Sequence, residues 1–265
     1  MSLPSKSPEA LAAALGEVLT EGGFENLKKA LRDLGFDIKP SEKKWPWATP
    51  WLPEVMRKRG LAPATVIDVG AGRGTPPLYE AFPDAYLVLI EPIREFEPAL
   101  ARFVSGRPGE YQLVAVGASE GMGTIKVNPR CLLTSTMSKG SEAQTRGPQR
   151  DFESREIPLT TLDRLLEGAR WRSPFGLKID VEGFERQVVE GATRLLEDTQ
   201  FVISELWLSN WFGEAGLVDF LDFMYSRGFE LCDILDAPRP KPNREMIFID
   251  AMFWRRPAEL FGKLP

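Results

Sequence analysis

Five carboxylates mark where this chain can do chemistry. Asp68 sits inside VIDVGAGRG, Glu91 closes AYLVLIE before Pro92, Asp180 and Glu182 lie in LKIDVEGFE, and Glu205 lies in FVISELW. Each string starts as a run of β-favouring residues with an acid at or near its end, the edge where open α/β sheets bind ligands. The chain contains no histidine. That removes the commonest general base, the commonest transition-metal ligand and every serine–histidine arrangement. Proton transfer must run through Asp, Glu, Lys, Tyr or water. Any metal must take oxygen ligands, which points to Mg2+ or a similar hard cation. With only carboxylates and Asn210 available to hold one, the sequence leans slightly against a metal.

Asp68 runs into glycines at Gly70, Gly72 and Gly74. A glycine turn after a buried strand lets the backbone approach a nucleotide-like ligand, and an acid about 20 residues on takes the ribose hydroxyls, the place held here by Glu91. An adenosine-type cofactor is expected. Asp68, Gly70, Ala71, Gly72, Gly74, Glu91 and Pro92 should line its site, with Val116 and Gly117 at the end of a third strand. A dinucleotide fingerprint has its third glycine three positions after the second. Here that glycine comes two positions after, followed by Thr75, Pro76 and Pro77. The prolines remove N–H groups that would cradle phosphate, and Asp68 would repel a pyrophosphate but not a cationic sulfonium. S-adenosyl-L-methionine is therefore expected in preference to NAD.

The elements that must position these groups follow from periodicity. Residues 9–35 carry helical spacing and 39–53 form a proline- and tryptophan-rich connector, so residues 1–60 are expected to be a helical extension. Residues 61–265 should form the main domain. From there, strands are expected at 65–69, 86–91, 111–116, 176–181, 201–206, 229–235 and 246–254. Helices are expected at 75–82, 94–104, 161–168, 184–196 and 214–227. An insertion over about 120–160 should pair 124–128 with 155–159 around a polar loop. No helix separates the last two strands, so the final one should run antiparallel. The expected fold is α/β and Rossmann-like, a seven-stranded, mostly parallel sheet with one antiparallel strand.

Composition narrows the partners. Of the 265 residues 43% are hydrophobic and 27% charged, and the net charge is −5. No global basic field exists to attract nucleic acid or an anionic membrane, and Arg239, Lys241 and Arg244 are read as solvated loop charges. Two cysteines make no disulfide framework or zinc motif. Without a signal peptide or an apolar run of about 20 residues, the chain is expected to be soluble and cytoplasmic.

In order along the chain, VIDVGAGRG, IEP, VAVGASEGMG, TTLDRLL, LKIDVEGFERQVVEGATRLL and FVISELW resemble the FkbM-type S-adenosylmethionine-dependent methyltransferases. The resemblance covers most of residues 65–210. It implies a class I methyltransferase fold and O-methylation of a hydroxyl, on a sugar, glycan or other natural-product acceptor. It places the cofactor on the glycine turn and Glu91, and sets Asp180 and Glu182 against the acceptor.

The acceptor oxygen must lie in line with the methyl donor, and an unactivated alcohol also needs a base, for which Asp180 or Glu182 is the expected one. Both could instead cap the next helix, whose dipole would hold them ionised. Lys178 could pair with Glu205. Glu205, Trp207, Asn210 and Trp211 are expected to line the acceptor pocket. The Ser/Thr/Gly-rich loop at 131–150, including Ser135 and Thr136, is expected to close over it with Trp45, Trp47 and Trp51. A non-catalytic S-adenosylmethionine sensor and, more remotely, an NAD-dependent oxidoreductase remain as alternatives.

Overall fold

The structure, a computed structural model, describes residues 54–129, 132–137, 152–208, 217–238 and 246–255 apart from positions 55, 57 and 247. The expected helical extension and its tryptophan connector lie outside the described residues, as do Asn210, Trp211, Arg239, Lys241, Arg244 and the centre of the polar loop. No helix among the described residues is long and apolar enough to cross a membrane.

The strands, in chain order, are β1 (Thr65–Val69), β2 (Tyr86–Ile90), β3 (Gly109–Gln112), β4 (Ala115–Val116), β5 (Gly121–Val127), β6 (Glu153–Thr160), β7 (Phe175–Ile179), β8 (Thr199–Trp207), β9 (Phe229–Asp236) and β10 (Phe248–Arg255). The helices are α1 (Pro76–Ala81), α2 (Glu97–Val104), α3 (Leu162–Leu166), α4 (Glu185–Glu190), α5 (Thr193–Glu197) and α6 (Leu217–Ser226). Seven strands form one sheet in the order β3-β2-β1-β7-β8-β10-β9. Only β10 is reversed, antiparallel to both β8 and β9.

β1 is apolar except for Thr65 and Asp68 and buried throughout, as a central parallel strand covered on both faces must be. Alternate residues serve opposite layers. Ile67, Val69, Leu177 and Ile179 pack with Leu162 of α3, Val188 of α4, Leu195 of α5 and Phe220 of α6. Val66, Leu87, Leu89 and Ile203 pack with Leu78 of α1 and Leu100 of α2. The doubly wound class read from the sequence is the observed one.

Two expected elements are divided. The run expected as one strand at 111–116 is β3 in the main sheet and then β4, which crosses to a three-stranded sheet with β6 and β5. β5 pairs antiparallel with β6, which gives the expected insertion its structure. The helix expected over 184–196 breaks into α4 and α5 at Gly191, where a Cβ would run into the Gly117 carbonyl.

Candidate active site

The turn after β1 takes positive φ at Gly70 (73°), Gly72 (51°) and Gly74 (90°). These are backbone conformations that favour glycine, but each glycine answers to a different neighbour. A Cβ at Gly70 would strike the Asp180 carbonyl oxygen, and one at Gly74 the Phe103 ring of α2. A Cβ at Gly72 would meet only the movable Leu133 Cδ2, at 2.9 Å. Two glycines therefore permit packing, and the middle one fronts the site.

The turn is stitched to β2. Gly70 and Ala71 donate backbone N–H to the Ile90 carbonyl at 2.9 and 3.1 Å. Glu91, 5% exposed, accepts from Gly72 N on Oε2 and from Ile93 N on Oε1, both at 2.9 Å. Burial raises its carboxyl to about 7 despite these two bonds, and Asp68 and Asp180 push in the same direction. Pro92 follows, half-buried.

Beneath the turn, Asp68 is fully buried. It accepts from Tyr79 Oη of α1 at 2.5 Å on Oδ2 and lies 3.5 Å from Lys178 Nζ on Oδ1. Burial, then Asp68 itself, raises the Tyr79 phenol well above its usual value. In this structure Asp68 is a buried post under the turn, held by Tyr79 and Lys178.

Beyond β7 the acids crowd together. Asp180 N donates to the Val69 carbonyl, and its Oδ2 accepts from Lys178 Nζ at 3.1 Å. Burial alone would lower the Lys178 ammonium, but Asp180 and Asp68 more than reverse that, so it stays charged. Lys178 does not pair with Glu205 as expected. Its register partner across the sheet is Asp68, which puts both side chains on one face.

Glu182 has φ +55°, the only positive φ outside glycine among the described residues. Two side chains hold that turn with three hydrogen bonds. Glu185 Oε1 accepts from Val181 N at 3.2 Å and Gly183 N at 3.1 Å, and Thr136 Oγ1 donates to the Glu182 carbonyl at 2.5 Å.

Neither Asp180 nor Glu182 caps α4. The N-cap is Phe184, with no side-chain cap bond, and the local backbone donors go to Glu185. Nor is the Glu182 carboxyl shifted downward, as a helix-capping role would have it. Burial, with Asp180 and Glu185 nearby, pushes its carboxyl well up. Burial, opposed by bonds from its own backbone and those of Gly183 and Val181, sets Glu185 at about 7.

Glu205 on β8 stands opposite Asp250 of β10. Burial first, then Asp180, Glu182 and Asp250, raises Glu205 strongly, and burial followed by Asp180 raises Asp250 to about 7. Carboxylate oxygens of Asp180, Glu182 and Glu205 lie within 4.8 Å of one another. The structure thus brings together three acids that the sequence separates between catalytic and acceptor-lining roles.

Other expected site residues have different surroundings. Trp207 is half-buried, its ring 5.5 Å from that of Phe248. Val116 and Gly117 do not end a main-sheet strand. Val116 belongs to β4, Gly117 N donates to the Thr160 carbonyl at 2.8 Å, and a Cβ at Gly117 would press on Phe184.

Ser135 and Thr136 are not part of an open polar loop. Both are buried, Ser135 Oγ accepting from Asn128 N and Thr136 bridging Lys126. The sequence reading missed Glu185 as the brace of the Glu182 turn, though an acid three residues past Glu182 at a helix start was its available signal. The place of Asp250 had no local signal, because it depends on the pairing of β10 with β8.

A glycine turn, an acid closing β2 and acids beyond β7, on a parallel sheet with one reversed strand, define an S-adenosylmethionine-dependent methyltransferase. The chain belongs to the FkbM family: the methyltransferase FkbM domain matches residues 68–231.

No curated protein matches it. Among solved structures it is similar to the Burkholderia thailandensis 1,6-didemethyltoxoflavin-N1-methyltransferase with bound S-adenosylhomocysteine, at 12% identity over 97% of this chain and 94% of that one, TM-score 0.38. It is similar to the Synechocystis magnesium protoporphyrin IX methyltransferase with bound SAM, at 10% identity over 95% and 99%, TM-score 0.41. The Escherichia coli rRNA methylase gives 12% identity over 95% and 78%, TM-score 0.37.

Proposed function

We propose that the chain methylates a hydroxyl group on a sugar, glycan or other small-molecule acceptor. The observation that carries this reading is the acidic cluster of Asp180, Glu182 and Glu205, which meets the glycine turn at Gly70, where the Asp180 carbonyl fills the space a Cβ would need. A hydroxyl must lose its proton during transfer, and in a histidine-free chain these carboxylates are the acceptors at hand.

The turn fits the cofactor. Gly72 leaves its outer side to a movable leucine methyl. Glu91 keeps acceptor capacity on each oxygen beyond the backbone bond it already takes. Ala71, Gly72, Glu91 and Pro92 would hold S-adenosylmethionine, which supplies a sulfonium methyl already activated for transfer.

Asp180 is the proposed base. Its side chain is 37% exposed, Lys178 fixes Oδ2, and Oδ1 has no partner among the described residues and can take the acceptor's proton. Glu182 and Glu205 flank it and orient the acceptor's oxygens. The cluster's negative charge also disfavours a polyphosphate such as RNA.

Incubation with a methyl-labelled donor and a panel of hydroxylated sugars, amines and structured RNA tests the reading. Label should enter hydroxyl acceptors. Transfer to amines or RNA with none to hydroxyls would overturn it.

A further inference from the structure

We propose that Asp180, Glu182 and Glu205 together bind one divalent, oxygen-preferring cation of the Mg2+, Mn2+ and Ca2+ class. The inference builds on the acceptor face proposed above and departs from the sequence reading, which leaned against a metal.

The first ground is geometry. One oxygen from each of the three carboxylates lies within 4.8 Å of the other two. Oxygen ligands sit about 2.0–2.6 Å from Mg2+ or Ca2+, so two ligands of one ion are at most about 4–5 Å apart. The three groups can therefore reach one ion, Asp180 keeping Oδ2 on Lys178 while the two lone pairs of Oδ1 serve the ion and the acceptor's proton. Their chemistry, all carboxylate without nitrogen or sulfur, selects a hard cation.

The second ground is an orphaned atom. Glu205 Oε1 is shut off from solvent and has no hydrogen-bond partner among the described residues. A buried carboxylate oxygen left in that state costs free energy unless something pairs with it. Glu205 faces this cluster, since one of its carboxylate oxygens lies within 4.8 Å of oxygens of Asp180 and Glu182.

Charge accounting completes the case. Around the cluster stand Asp180, Glu182, Glu205, Asp250 and Glu185. Lys178 is the cation among them, and it already serves Asp180 Oδ2 and Asp68 Oδ1. Glu185 is occupied by Val181 N and Gly183 N. Glu182 and Glu205 have no cationic partner among the described residues.

A divalent ion supplies the missing positive charge where the protein does not. Three carboxylates leave it coordination positions for water or for an acceptor oxygen, because Mg2+ takes about six ligands and Ca2+ six to eight. The thermodynamic cost of Glu182 at φ +55° is consistent with a residue placed for a ligand rather than for packing.

Chelator-stripped full-length chain titrated with Mn2+ under electron paramagnetic resonance, and with Mg2+ and Ca2+ by calorimetry, tests this without any acceptor. The expected result is one equivalent of ion bound below about 1 mM, raising the melting temperature by mass action. Glu205→Gln and, separately, Glu182→Gln should each weaken binding at least about 10-fold. Absence of binding at several times that concentration overturns the site, as does wild-type affinity in both variants. If the variants misfold, the wild-type titration alone decides.

S-adenosylmethionine affinity and hydroxyl methylation are measured on the same stripped chain. Full hydroxyl methylation without bound ion at any concentration overturns the cation alone. Ion binding with no hydroxyl methylation overturns only the proposed acceptor.

Discussion

The two halves of the sheet's carboxyl edge treat their acids in opposite ways. On the β1–β2 side Asp68 and Glu91 each have partners in the protein, although among the described residues Asp68 Oδ1 meets only the Lys178 charge and no hydrogen bond. Asp68 is held by Tyr79 and Lys178, and Glu91 by two backbone N–H groups. On the β7–β8 side the acids face one another. Among the described residues only Asp180 has a cation and Glu205 Oε1 has no partner, and the Glu182 backbone is strained. The first half is a finished cradle whose shape does not wait for a ligand. The second is a concentration of like charge whose energy falls when something positive or proton-bearing arrives. Pre-organisation and reactivity are separated along one sheet edge, and Lys178 spans the border.

The sharpest way to break this contrast is to neutralise Asp180. Asp180→Asn keeps the side-chain volume but not the base, so turnover should fall about 10²–10⁴-fold in a labelled-methyl assay. Full activity would place the base elsewhere.

A second prediction concerns pH. Glu91 has its folded carboxyl raised from 4.5 to about 7. Between those values the unfolded chain releases this proton while the folded one keeps it, so stability falls as pH rises and levels off above about 7. The shift corresponds to about 3 kcal/mol at most. Glu185 and Asp250, each near 7, act in the same sense. Urea melts from pH 4.5 to 8 should show this slope, and Glu91→Gln should flatten it whatever its absolute stability. A rising slope contradicts the assignment.

On the cofactor side, Glu91→Ala should weaken S-adenosylmethionine by about 1–3 kcal/mol, measured by calorimetry, the scale for losing a charged acceptor. It also unties Gly72 N and Ile93 N, so circular dichroism must accompany the titration.

The smallest effect separates brace from base. Thr136→Val removes the donor to the Glu182 carbonyl and should cost about 1 kcal/mol of stability while lowering turnover modestly. Glu185→Gln keeps an amide oxygen for Val181 N and Gly183 N and should behave like wild type, whereas Glu185→Leu should not. Equal loss in both Glu185 variants would mean that its charge, not its acceptor oxygen, matters.

Much of this was legible from sequence where the signal is local. The strand β1, the glycine turn, Glu91 at the end of β2 and the reversed last strand each rest on periodicity or turn chemistry within a few residues. Elements failed where a tertiary contact decided them. The strand-like run YQLVAV hides the step from β3 to β4, since no glycine, proline or turn residue in it signals a change of sheet. Gly191 did carry its break, but the reason, close approach of the Gly117 carbonyl, lies far away in the chain.

In the site, Asp180, Glu182 and Glu205 could be named from strand ends, yet not their meeting. That depends on β7 and β8 being neighbours, with Asp250 brought in by β10. Ser135 and Thr136 were misplaced because their polar composition suggests an open loop, while β5 and Glu182 bury them.

The separation of the two halves is tested most directly by S-adenosylmethionine titration of the Asp180→Asn, Glu182→Gln double variant beside the wild-type chain. The expected result is cofactor affinity within a few-fold of wild type, with methyl transfer lost. Loss of cofactor binding in that variant, with the fold intact, would contradict the account, because the acids beyond β7 would then belong to the cradle.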